Sequence, residues 1–153
     1  MKWINLTLLI IGLVSTAWAA EPINTLEKSG LWGYKPSGIA IRGFDTVAYF
    51  TQGQAVEGNP SISTEWRGAT WQFASEQHRD LFIASPEQYA PQYGGYCAYA
   101  VAMGSTAKID PGCWKVVDGK LYLNFDPDIQ AEWEANQDNF IAYADSNWPD
   151  VIK

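Results

Sequence analysis

Four side chains of this sequence could ligate a soft or borderline metal ion once the initiator Met1 is set aside: His78, Cys97, Met103 and Cys113. Thiolate and thioether favour Cu(I) and imidazole tolerates it, whereas zinc would recruit a carboxylate as well. Cys97 and Met103 fall inside Tyr89-Ala-Pro-Gln-Tyr-Gly-Gly-Tyr-Cys-Ala-Tyr-Ala-Val-Ala-Met-Gly104, which packs four tyrosines and three glycines into sixteen residues. A stretch so rich in aromatics and free of charge is not a plain surface loop. A binding segment is expected at Tyr93, Gly94, Gly95, Tyr96 and Tyr99, because the paired glycines let the backbone take positive φ or be approached closely. Metal ligation by Cys97, His78 and Met103 carries a geometric condition. In one straight strand Cys97 and Met103 would stand about 20 Å apart, so the chain between them must turn. The alternative is that the tyrosines fill a core and Cys97 is a small buried hydrophobe.

Cys97 and Cys113 are also a candidate disulfide, which an exported location would permit and which would stabilise the fold by roughly 3 kcal/mol on the chain-entropy model. A cysteine nucleophile, by contrast, needs a base, and the chain has one histidine. Without a phosphate-binding glycine loop, a nucleophile elbow or paired metal-binding histidines, the expectation is a non-catalytic protein.

These residues sit in a chain that opens with the layout of a secretory signal peptide. Lys2 precedes the apolar run Leu6–Val14, and Ala17 and Ala19 mark cleavage after Ala19. The run is too short for a permanent anchor, so residues 1–19 are expected to be removed and the mature protein to be periplasmic or secreted. Loss of Lys2 leaves 9 basic against 17 acidic residues, a net charge of −8. Such a surface repels nucleic acid and anionic headgroups, and no stable membrane insertion is expected. What remains suits one domain with a real core.

The elements that must position the candidate residues follow from local signals. Residues 20–37 are glycine-punctuated and read as an extended arm lying on a domain of residues 38–150. Ile39-Ala40-Ile41 reads as a short strand, and Asp45 caps a helical turn through Phe50. Thr64–Trp66 and Thr70–Phe73 flank Arg67-Gly68 as a hairpin. Ser75 caps a helix over 76–84 on which His78, Leu81 and Phe82 share a face. Ser85 and Gln88 are spaced as a capping box, with Pro86 opening a second helix and Pro91 stopping it. Lys108–Gly112 reads as a loop. Asp118-Gly119 then closes a hairpin that pairs Val116 with Leu121 and Trp114 with Leu123, giving a core face, with Lys115, Val117, Lys120 and Tyr122 opposite. Asp126 caps a helix from Pro127 that breaks near Asn136.

The segments Gly43–Phe50, Gly68–Ser75, Arg79–Phe82, Pro86–Val101 and Val117–Asn124 together resemble the YHS domain, specifically the exported single-domain proteins that carry it. The resemblance implies a treble-clef-like core and, through the related TRASH-type modules, transition-metal handling. In those modules cysteines stand where this chain has Ala48, Ala74 and His78, so only His78 keeps a ligand-capable side chain. The expectation is therefore a small single α+β domain of short hairpins packed on short helices. Its function is binding, with a Cu or Zn ion as the first ligand class and a structural or partner-binding protein without metal as the alternative.

Overall fold

The computed structural model describes residues 19–153; apart from Ala19, the expected signal peptide lies outside the described residues. Among the described residues the chain forms a small α+β fold in which three separate two-stranded antiparallel sheets pack with six short helices. The first departure from expectation comes early. Residues 26–36 are a hairpin, β1 (Leu26–Ser29) against β2 (Gly33–Pro36), and not simply an extended arm. The residues just before it are core: Ile23, Asn24 and Thr25 are all buried. Ile39–Ile41 is not a strand either. Ile39 makes one parallel bridge to Thr70, and Ala40–Gly43 is a tight 3-10 turn in which Ile41 and Arg42 take positive φ.

The helix α1 (Thr46–Thr51) starts where Asp45 accepts hydrogen bonds from the backbone N–H of Val47 and Ala48. The hairpin β3 (Asn59–Trp66) and β4 (Ala69–Phe73) turns on Arg67-Gly68, both at positive φ, as a twisted two-residue loop requires. Helix α2 (Glu76–Ala84) is capped by Ser75, whose hydroxyl accepts from His78 N–H. Helix α3 (Pro86–Tyr89) has its proline in the first turn, but Ser85 makes no side-chain cap and the expected capping box does not form.

The Gly94-Gly95 segment is a second tight turn, Gln92–Gly95, followed by helix α4 (Ala98–Ala102). Asn24 reaches this turn twice, its N–H donating to Gly94 O at 2.8 Å and its side-chain amide to Gly95 O at 2.9 Å. The approach is close enough to require glycine. A Cβ on Gly94 would lie 2.1 Å from the Pro22 carbonyl oxygen, and one on Gly95 would lie 2.1 Å from Ile41 Cδ1.

The last sheet, β5 (Asp110–Val117) and β6 (Lys120–Asn124), has the expected register, Val116 with Leu121 and Trp114 with Leu123. The expected loop before it is partly strand, since Asp110 pairs with Asn124 and the irregularity lies between Asp110 and Trp114. The hairpin is covered on both faces, which alternation alone did not indicate. Leu121 and Leu123 enter a core with Val47, Tyr49, Trp71, Phe73 and Phe82. Tyr122 points the other way, into a second core with Tyr93, Val101 and Trp133. That second core is closed by helices α5 (Pro127–Ala135), capped by Asp126, and α6 (Gln137–Asn147), which break apart at Asn136 as expected.

The Gly94 contact sets up a paired test. Gly94→Ala must move the Pro22 backbone as well as hold alanine at φ 62°, whereas Gly104→Ala meets open space and bears only the positive-φ strain. Melting curves should show a loss of about 3 kcal/mol or more for the first and about 1–2 kcal/mol for the second.

Candidate functional site

His78 lies at the third residue of α2, turned inward against α1. Its Nδ1 is 2.6 Å from Asp45 Oδ2 and its Nε2 is 3.2 Å from Thr51 Oγ1. Both ring nitrogens thus have protein partners. Asp45 is completely buried, and the same carboxylate that caps α1 also accepts from Ala74 N–H at 2.9 Å. The imidazole therefore completes the solvation of a buried carboxylate, tying α1, the end of β4 and α2 together.

Cys97 is the residue before α4 and is 1% exposed. Its thiol lies 3.6 Å from Asn124 Oδ1, the S–H donating. The orientation of that amide is set by its other partners: Tyr99 N–H also donates to Oδ1, and Nδ2 donates to Gln130 Oε1 at 2.8 Å. Burial pushes the thiol's proton affinity up, while backbone N–H groups of Ala100, Phe125 and Tyr99 pull it the other way with smaller effect. The geometry holds Cys97 as a neutral hydrogen-bonded thiol beneath a hollow of about 290 Å³ walled by Tyr99, Phe125 and Ile129.

The expected metal set is not assembled. Met103 is the residue after α4, at the opposite end from Cys97, and is half exposed. Six residues at helical rise put about 9 Å between the two along the axis. The chain does turn between them, but as a helix that sets the two residues at its opposite ends. His78 is committed to Asp45 and Thr51, and no group of three or more His, Cys, Asp or Glu suited to a metal ion occurs among the described residues. The candidate disulfide is not formed either: Cys97 and Cys113 are both free and buried. Cys113 is likewise pushed up, by burial first and then by Asp110 and Asp126.

The tyrosine and glycine segment has a different outcome. Gly95 and Tyr96 are buried structural residues, and Tyr96 O–H donates to Glu21 O. Tyr99 O–H donates to Glu132 at 2.9 Å on the surface. Tyr93 and Gly94, however, border a cleft of about 440 Å³. Trp66 and Trp148 supply its other aromatic surface, and Arg67, Glu87, Lys120 and Asp145 its charges. Arg67 pairs with Glu87 at 2.9 Å, and Asp145 accepts from Tyr93 O–H at 2.8 Å. Lys120 is exposed and makes no ion pair among the described residues. None of the cleft's charged groups was singled out from the sequence as a site residue. They come from four separate segments, and only Tyr93-Gly94 carried a local signal.

Comparison of the chain with protein-family models, curated proteins and solved structures finds no match.

The buried phenols give a pH test. Burial lifts Tyr96 and Tyr122 from the usual 10 to about 12, with the charges of Glu21 and Asp145 respectively adding to it. Tyr49 and Tyr93 are raised further, again by burial first. A raised value means that the fold favours the neutral phenol. The stabilisation is complete below the unfolded value and is lost as pH climbs towards the folded one. Ultraviolet titration should therefore show these tyrosines ionising together with loss of circular dichroism between about pH 10 and 12. Smooth ionisation of every tyrosine near pH 10 with the fold intact would show that the rings are not buried.

Proposed function

We propose that this chain is an exported, non-catalytic binding module of YHS type whose ligand occupies the cleft beside Tyr93 and Gly94. One observation carries the reading: the cleft joins aromatic surface to a cation, Lys120, that has no ion-pair partner among the described residues. Its volume of about 440 Å³ lies in the range of small-molecule sites, which combine apolar walls with a few fixed polar groups. The ligand class that matches is a small organic anion with a flat apolar body. The anion faces Lys120 and the body lies against Trp148 or Trp66. The chemistry-bearing residues support the non-catalytic part of the reading, because His78 solvates Asp45 and Cys97 is a protonated thiol. Export rests on the signal-like layout of residues 1–19, and no helix among the described residues is long and apolar enough to cross a membrane.

The test is to titrate the isotopically labelled mature protein with a panel of small carboxylates, aromatic ones included, while following backbone amide resonances. Shifts should cluster at Tyr93, Gly94, Lys120 and Trp148. Lys120→Glu should weaken binding about tenfold or more, for loss of a charge-assisted contact worth about 1.5–3 kcal/mol, with little change in melting temperature. Elemental analysis of the same untagged protein gives the opposing outcome. Stoichiometric copper or zinc that disappears in Cys97→Ser would overturn the organic-ligand reading in favour of a metal one.

A further inference from the structure

The β1–β2 hairpin carries two large apolar side chains that nothing among the described residues covers. Leu31 is 79% exposed and Trp32 is 92% exposed, and both sit in the turn between the strands. Every residue of β2 is exposed, so the outer part of the ribbon projects from the body of the protein. An isolated two-stranded ribbon is marginal in water, and a tip of leucine and tryptophan adds apolar surface without adding to any core.

The charges around this tip are arranged about its long axis. Lys28 stands opposite Tyr34 and Glu27 opposite Lys35, and cross-strand partners share a face, so the two lysines lie on opposite faces of the ribbon. Lys108 of the protein body borders the first of these faces, its ammonium 3.8 Å from the Phe125 ring and 5.2 Å from the Tyr34 ring. Lys28 precedes Leu31 by three residues and Lys35 follows Trp32 by three. Because Gly30, Leu31 and Trp32 form the turn, only one or two residues of strand separate each cation from it, a set-back of about 3–7 Å at strand rise. A groove on a protein would meet one face of the ribbon. Lysines on both faces close behind an apolar tip, with Glu27 opposite Lys35 the one acid on the two strands, match a planar anionic layer entered end-on.

We propose that the Leu31-Trp32 tip docks on an anionic phospholipid bilayer, its two side chains at the acyl boundary and Lys28 and Lys35 among the headgroups. Tryptophan suits that depth because its ring is apolar and its N–H remains within reach of the wet layer. The net charge of −8 expected for the mature chain does not forbid this orientation. Surface charges more than about 8–10 Å away are largely screened at physiological salt, so a leading tip presents its own lysines to the membrane. The interaction is peripheral and involves no spanning helix.

Vesicle flotation with the mature protein tests the proposal. Binding should be seen with phosphatidylglycerol–phosphatidylcholine vesicles and should fall with added salt and on phosphatidylcholine alone. Leu31→Ser with Trp32→Ser should abolish it, and Lys28→Gln and Lys35→Gln should each weaken it about fivefold. All these positions are outside the buried core, so melting curves should be unchanged and folding failure will not confuse the result. Failure of the parent protein to bind, or equal binding by the tip variant, overturns the proposal. So does a tip that is needed only for cross-linking to another protein while vesicles are ignored.

Discussion

A carboxylate removed from water must be given donors by the protein, and much of this fold is arranged to give them to Asp45. Fully buried, it accepts from Val47, Ala48 and Ala74 N–H and from the His78 ring. Each donor comes from a place that has to be fixed for the bond to exist: the first turn of α1, the residue after β4, and α2 beyond its Ser75 cap. An unpaired charge here would cost several kcal/mol, so the four bonds form together or the local structure does not. The packing of Phe73 and Phe82 on Val47 and Tyr49 then follows from elements already held in place.

The same logic recurs at the other chemically capable residue. Asn124 joins the Cys97 thiol, the start of α4 and Gln130 of α5 through one amide group. It lies at the end of β6, the strand whose alternate residues feed both cores. At the Gly94-Gly95 turn the Pro22–Asn24 backbone closes over the chain. Polar cross-links and glycine-dependent close approaches thus register three small sheets that share no strands. A consequence is that His78 and Cys97 are occupied, and the open cleft is lined instead by rings and surface charges.

What could be read from the residues follows the range of the forces involved. Caps, prolines in first turns and the two-residue hairpin loops are local, and Asp45, Ser75, Asp126, Arg67-Gly68 and Asp118-Gly119 all act as their types suggest. The glycine pair was legible as a site of close approach, but its partner, Pro22 from a segment read as an arm, was not. The β1–β2 hairpin was missed because Gly30 and Gly33 read as breakers, although Gly30 at positive φ helps make the turn. Cys97, His78 and Met103 have the right chemistry for a shared ion, but whether they converge is a tertiary question. The answer depends on Asp45 and Asn124, which read as an ordinary cap and an unremarked strand residue. The cleft had no sequence signal beyond Tyr93-Gly94 because its walls are assembled from distant segments.

The single histidine makes the central claim, that its ring is held by Asp45 and Thr51 as part of the fold, open to one direct observation. A long-range proton–nitrogen spectrum of the imidazole, recorded before and after addition of Cu(I) or Zn(II), contains one ring system and no ambiguity of assignment. The account predicts an Nδ1–H held to Asp45 and ring resonances that metal leaves where they were. Loss or displacement of those resonances at stoichiometric metal, with the fold intact, would contradict it.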